Sequence, residues 1–156
     1  MKLDENGYKL IAEFEGISLK PYLCSAGVPT IGYGNTFYPN GRKVTMKDLP
    51  ITKEKAFEIF KFVADLFAKD VAGLIKSNVT QNQFNALVSF AYNLGTDIDA
   101  DNIAEGLGDS TLLKKVNSNP KDLSIRLEFL KWNKAKGKVL KGLTIRRVKE
   151  SNIYFT

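Results

Sequence analysis

The sequence predicts an α+β fold: a small antiparallel-sheet lobe and a larger helical lobe, joined by a long helix, with a cleft between them. Three observations carry that prediction. The N-terminal segment repeats apolar side chains at helical steps, residues 22–45 are punctuated by Pro and Gly, and the pattern after Pro50 is helical almost to the end. A chain of 156 residues suffices for one domain with a sizeable core. We expect a single domain over 1–156, with the sheet lobe at about 16–50, the helical lobe at about 78–156 and the N-terminal helix packed on the latter.

Each element has a local reason. Leu3, Tyr8, Ile11 and Phe14, with Leu10 beside them, predict an amphipathic helix over 4–15, closed by Gly16 as C-cap. Pro21, Gly27, Pro29, Gly32, Gly34, Pro39 and Gly41 separate short runs at 22–24, 30–33 and 43–45, which predict a turn-rich antiparallel sheet. Thr52 N-caps a helix to about residue 77, with Ala56, Phe60, Val63, Phe67, Val71 and Leu74 on its apolar face. Thr80 with Gln83 forms a capping box for a helix through Phe84, Leu87, Val88 and Ala91, closed by Gly95. Further helices are expected at 110–117, 121–133 and 143–154. A ligand is expected in the cleft between two such lobes.

Composition excludes several chemistries. There is no histidine, which rules out Ser-His-Asp and Cys-His catalysis and argues against zinc. Acid–base work falls to carboxylates, the thiol, Tyr or Lys. The single cysteine forms no intramolecular disulfide. Met1 to Gly7 does not read as a signal peptide, and no apolar run is long enough to span a membrane. The net charge of +6 favours polyanions without choosing among them. It also allows a nucleic-acid binder, but no recognition-helix pattern supports one, and no nucleic-acid partner is expected.

Three residues stand out between the first helix and the sheet. Glu15 ends the helix, where the negative end of the helix dipole disfavours a carboxylate; with partial burial its pKa is expected to rise, as a general acid requires. Glu13, two residues away, projects to another face. Cys24 follows a strand and precedes the turn Ser25-Ala26-Gly27, where a thiolate can act as base or nucleophile. Thr30 opens the run Ile31-Gly32-Tyr33-Gly34, and its hydroxyl can orient a water. Taken singly, each also reads as structural: a solvated helix end, a small buried hydrophobe and a β-branched strand residue.

Eight residues separate Glu15 from Cys24, and five separate Cys24 from Thr30. With Phe14-Glu15-Gly16, Ala26-Gly27 and Thr30-Ile31-Gly32-Tyr33-Gly34-Asn35-Thr36, this stretch resembles the phage-type lysozymes or endolysins, muramidases that cut peptidoglycan. "QFNALVSFAYNLG", "STLLKKVN" and "FLKWNKAKGKVLKGL…RR" resemble the helical blocks of the same family, in family order. The resemblance implies a lysozyme-like fold and hydrolysis of the β-1,4 bond between N-acetylmuramic acid and N-acetylglucosamine. Glu15 would be the general acid. Cys24 would stand where many relatives have the aspartate that activates water, and Thr30 would help hold that water. Tyr92 and Asn93 would contact sugar on the cleft wall. One of Arg146 and Arg147 would reach the acid.

The chain also departs from the family pattern. Asn35 stands where some relatives have histidine; it is expected to be a structural hydrogen-bonding residue near the cleft and is grouped with Tyr92 and Asn93 as substrate-binding. A neutral thiol is a weak base, so Cys24 is expected to need nearby positive charge, with Lys20 close in sequence. Water activation by Cys24 gives inversion, and direct attack gives a thioglycosyl intermediate; inversion is expected, because the resemblance implies it. Asp97, Asp99 and Asp101 alternate like an EF-hand loop, but Asn102 replaces the required Gly and Gly108 the terminal Glu. A solvated loop is expected, with no metal and no cofactor. Trp132 is expected to anchor the helical core. The basic excess from Lys131 to Lys149 is read as a solvated face, with at most weak contact with the anionic wall or a membrane surface.

The partner expected is therefore bacterial peptidoglycan, and the protein a monomer. The resemblance places it in the host cytoplasm, from which a holin or lysis would release it to the wall. A wall-binding protein without turnover and a lytic transglycosylase are the alternatives.

Overall fold

The computed structural model describes residues 1–156 as six helices and four short strands. They group into two compact units, Met1–Gly7 with Phe67–Thr156, and Tyr8–Leu66. Two helices, α1 (Glu5–Glu15) and α2 (Lys53–Leu74), have residues in both. No helix is long and apolar enough to cross a membrane.

In Tyr8–Leu66, α1 ends at Glu15 because Gly16 takes a φ of 64°, a left-handed conformation that glycine adopts without steric cost. β1 (Ser18–Leu23) pairs antiparallel with β2 (Pro29–Gly32), with Tyr22 opposite Thr30 and Leu23 opposite Pro29. Ile31 of β2 also pairs with Asn35, and beyond it Phe37 pairs with Lys43. The run expected as a strand at 43–45 is only this last pairing. Backbone bonds from Val44 N–H to the Thr36 carbonyl and from Tyr38 N–H to the Arg42 carbonyl, both 2.9 Å, close the hairpin, and side chains reinforce it. Asp48 accepts from the Tyr38 hydroxyl at 2.6 Å, Arg42 Nη1 at 3.0 Å and the Thr45 hydroxyl at 2.8 Å. The start of α2 is capped as expected, with the Lys55 N–H donating to Thr52 Oγ1 at 3.1 Å. The core of this unit gathers around Phe60, which is fully buried with Ile11, Ile31, Ala56 and Ile59. Tyr33 and Phe57 pack on its ring at 5.1 and 5.8 Å.

In the other unit, α2 stops at Leu74, short of the expected end. Asn117 takes over the chain there: its Nδ2 donates to the Leu74 carbonyl at 3.1 Å and its Oδ1 accepts from the Lys76 N–H at 2.7 Å. α3 (Gln81–Leu94) opens with the full Thr80–Gln83 capping box, and Gly95 follows its last turn. α4 (Thr111–Ser118) is capped by Ser110.

The helix expected at 121–133 is much shorter, α5 (Ile125–Leu130). On its N-terminal side, Asn119 and Asp122 bind nearby N–H groups and fold the chain into turns. On its C-terminal side the chain enters a hairpin missed by the sequence reading. β3 (Lys134–Ala135) pairs with β4 (Lys138–Val139) across Lys136 and Gly137, with φ values of 51° and 76°. α6 (Lys141–Tyr154) completes the chain. Phe90, Phe129 and Tyr154 form the aromatic core, and Trp132, half-buried at its margin, stands edge-on to Phe90 at 5.5 Å.

Candidate active site

The turn after β1 is built around the Cys24 side chain. The Gly27 N–H donates to the Cys24 carbonyl at 2.8 Å, and the Cys24 N–H to the Val28 carbonyl at 3.1 Å. This closes the chain so that the backbone N–H groups of Val28 and Ala26 meet the sulfur. Those bonds, led by Val28, hold the thiol below the ordinary thiol value; Thr30 contributes through its hydroxyl. The expected cation is not among the causes: backbone dipoles do the work assigned to Lys20. Cys24 is half-exposed and Thr30 is buried. The Thr30 hydroxyl also lies 2.8 Å from the Val28 carbonyl, to which it donates. It has one proton, so donation to that carbonyl and donation to the sulfur alternate, and its lone pairs remain able to accept from water.

Glu15 is half-buried at the end of α1. Its carboxylate lies against Gly34, where a β-carbon would stand 3.5 Å from Oε2. Gly34 has φ 79°, so a side chain there would be strained, with its β-carbon in ordinary contact with the carboxylate. Glu13 is exposed. Asn35, next to Gly34, is 3% exposed and exchanges backbone hydrogen bonds with Ile31 at 2.9 and 3.0 Å. Glu15, Cys24, Thr30 and Asn35 thus all belong to the Tyr8–Leu66 unit.

Tyr92 and Asn93 belong to the other unit. Tyr92 packs on Phe67 with ring centroids 5.1 Å apart. Asn93 is exposed, and its Oδ1 accepts from Arg147 Nη2 at 2.9 Å. The two arginines are not part of a solvated basic face. Both are buried about Glu150, with Arg146 Nε 3.1 Å from Oε1 and Arg147 Nε 2.9 Å from Oε2. The second contact is an ion pair out of line for a hydrogen bond. Ser89 donates to Oε1 at 2.7 Å. Burial pushes the Glu150 carboxyl up against the pull of both guanidiniums, and pushes Arg147 down to about 10.

The 97–109 segment is exposed over residues 98–105 and is folded on itself by hydrogen bonds. Asp97 Oδ2 accepts N–H bonds from Glu105, Gly106 and Asp109, and Asp109 Oδ2 accepts from Asn102. Asp97, Asp99 and Asp109, rather than the alternating Asp97, Asp99 and Asp101, bring carboxylate oxygens within 4.8 Å of one another. Two of the three already staple the loop.

Residues 12–150 match the family described as Phage lysozyme. The chain belongs to the phage lysozyme family. Among its relatives, the endolysin of Bacillus phage B103 is 37% identical over 156 residues, covering 100% of this chain and 55% of the relative. The chain spans about half the length of such Bacillus phage endolysins. The endolysin of Salmonella phage P22 is 31% identical, over 100% of this chain and 99% of its own. Among solved structures, an endolysin from Escherichia coli O157:H7 phage FAHEc1 superposes with a TM-score of 0.84 at 36% identity, covering 99% of this chain and 93% of that one. The lysozyme-like α+β fold expected from the sequence is the fold of this family member.

Sequence reading missed two features of this phage lysozyme family chain. The N–H groups of Ala26 and Val28 are backbone donors, which any residue but proline supplies, so only the Gly27 turn signals them. The Glu150 cluster joins side chains from α3 and α6, far apart in sequence. Its one local hint is the spacing of Arg146 and Arg147 from Glu150, four and three residues along one helix.

Proposed function

We propose that this protein is an endolysin that hydrolyses the β-1,4 bond between N-acetylmuramic acid and N-acetylglucosamine. Glu15 is the general acid: its carboxyl proton passes to the glycosidic oxygen as the bond to the anomeric carbon breaks. The Cys24 thiolate takes a proton from a water whose oxygen bonds to that carbon from the opposite face, inverting it. Thr30 orients the water by accepting a hydrogen bond from its other O–H, which stays on the oxygen. The thiol then returns its proton through solvent and Glu15 is recharged. The observation that carries this reading is the thiol itself, half-exposed and favoured as thiolate by the Val28 and Ala26 N–H groups. Membership of the family supports the substrate class. Tyr92 and Asn93 contact sugar in this reading, and the burial of Asn35 supports a structural part for it. The protein acts as a monomer, waiting in the host cytoplasm until a membrane pore or lysis admits it to the wall.

Mass spectrometry of purified peptidoglycan after incubation with the reduced protein tests the proposal, with Glu15→Gln as control. New reducing muramic ends, absent with Glu15→Gln, are expected, and NMR of fresh product should show the α anomer first. Anhydro ends would replace hydrolysis by transglycosylation. Sedimentation with the wall without product would make the chain a binding module.

A further inference from the structure

An asparagine followed by glycine readily loses its side-chain ammonia, because glycine leaves its own backbone nitrogen uncrowded. The chain holds two such pairs, Asn6-Gly7 and Asn40-Gly41, and the fold treats them differently. Asn6 lies in the first turn of α1. Gly7 is buried, and its N–H donates to Asp4 Oδ1 at 2.9 Å. A β-carbon at Gly7 would stand 2.6 Å from Asn85 Oδ1, so this backbone is packed against α3 with no room to turn.

Asn40 and Gly41 form the exposed tip of the 36–44 hairpin. A β-carbon built on Gly41 would meet nothing within 4 Å. The Asn40 carboxamide is already turned toward the peptide bond that follows it. Its Oδ1 accepts from the Arg42 N–H at 2.9 Å, and the ring closed by that bond contains both Asn40 Cγ and the Gly41 nitrogen. The same N–H faces the oxygen on which charge collects when a nucleophile adds to the carboxamide. The Gly41 N–H is held by one exposed turn bond, to the Tyr38 carbonyl at 2.9 Å.

We propose that Asn40 is a site of self-modification, at which the hairpin turn converts its own amide to a carboxylate with water as the only co-reactant. Solvent base takes the Gly41 N–H proton, and the nitrogen bonds to Asn40 Cγ. The Cγ–Nδ2 bond breaks, and Nδ2 takes a proton from water and leaves as ammonia, which closes a five-membered succinimide. Water then opens the ring. Breaking the bond between Cγ and the Gly41 nitrogen gives aspartate. Breaking the bond between the Asn40 main-chain carbonyl carbon and that nitrogen gives isoaspartate, with the backbone running through the β-carbon. Ammonia is lost to solvent, so the change is one-way. Either product sets a carboxylate two residues from Arg42, whose guanidinium holds Asp48 at 3.0 Å. Isoaspartate also adds one backbone atom between Tyr38 and Arg42, whose N–H and carbonyl close the hairpin at 2.9 Å. The proposal is independent of the hydrolase reading.

The whole protein, kept folded for days in mildly alkaline buffer and sampled by proteolysis and mass spectrometry, tests it. The fragment with Asn40 should gain one mass unit, with isoaspartate told from aspartate by electron-transfer fragmentation. The fragment with Asn6 should lag at least about tenfold, because its reaction waits for α1 to open. In urea the two rates should draw together, since the unfolded chain offers both pairs alike. On ion exchange the net charge of +6 falls by one, and fresh Asn40→Asp should elute with the aspartate form of the aged protein. No gain at Asn40 in the folded protein would overturn the proposal, whatever happens in urea. A gain at Asn40 no faster than at Asn6 would overturn it too, because the hairpin tip would then confer no reactivity.

Discussion

In the proposed reaction the base is Cys24, a thiol tuned by the backbone. Val28 and Ala26 N–H groups favour the charged form, so the folded pKa is depressed below that of a free cysteine. The thiolate is the working form, so activity should climb with pH through that lowered value, at lower pH than an unperturbed thiol would allow. In Cys24→Asp the climb should move down into the carboxylate range. Cys24→Ser should lose on the order of 10²–10⁴ in rate, the usual worth of a general base, and with it the thiol limb of the profile. Rate–pH profiles of the three proteins on soluble glycan check this; an unshifted rise in Cys24→Asp would take the thiol out of the water-activating role. A second expectation concerns the acid. Gly34→Ala should lower the thermal midpoint, because φ 79° strains any side chain, while its β-carbon makes only ordinary contact with Glu15 Oε2, so turnover of the folded protein should fall less than about tenfold. Comparing turnover with the thermal midpoint separates the two effects.

Among the elements, the hairpin of 36–44 adds to its backbone bonds a carboxylate that gathers three side chains. Asp48 is held well below the usual carboxylate range, first by Arg42, then by the Tyr38 hydroxyl and the Thr45 N–H. A depressed carboxyl stabilises the folded loop above its unfolded value, near 3.9, and that support is lost as pH falls toward the folded value. Amide exchange at Thr45 and Val44 should therefore accelerate relative to α3 as pH drops below about 4, and Asp48→Asn should show the faster exchange already at neutral pH. By contrast, α3 stands on its own caps, and Thr80→Ala should cost about 1 kcal/mol in a denaturant titration. These two elements mark what the sequence could reveal. The Thr52 and Thr80 caps and the 3.6-residue apolar repeat are local, so α2 and α3 were legible. The end of α2 was not, because Asn117 sets it from a distant element. The Lys134–Val139 hairpin is exposed and lysine-rich, with no apolar alternation to announce two strands. The candidate residues divide the same way: Glu15, Cys24 and Thr30 lie in one short stretch, whereas Asn93 meets Arg147, within the other unit, only through the fold.

For the molecule as a whole, charge acts in two places with opposite demands. The surface excess of lysine suits an anionic wall, while Arg146 and Arg147 are withdrawn from it and buried around Glu150. The buried group joins α3 to α6: Ser89 gives its hydroxyl to Glu150 and its carbonyl to Arg146 Nη2 at 3.1 Å, and Asn93 accepts from Arg147. Arg147 also lies over the Phe90 ring at 5.0 Å, inside the aromatic core. Such a cluster is of doubtful net value against a well-packed apolar replacement, yet it is costly to break on one side. Glu150→Ala leaves two buried guanidiniums facing each other, and should lower stability by about 3–5 kcal/mol. For a chain of this size that corresponds to a fall of roughly 10 °C or more in the thermal midpoint. Arg147→Met in the Glu150→Ala background removes one of the stranded charges and keeps the volume against Phe90, so it should recover part of the loss. A double-mutant cycle by thermal or urea unfolding reads the coupling directly. If the two losses simply add, Arg147 is held by its packing on Phe90 and Asn93, and the ion pair with Glu150 contributes nothing to the junction of α3 and α6.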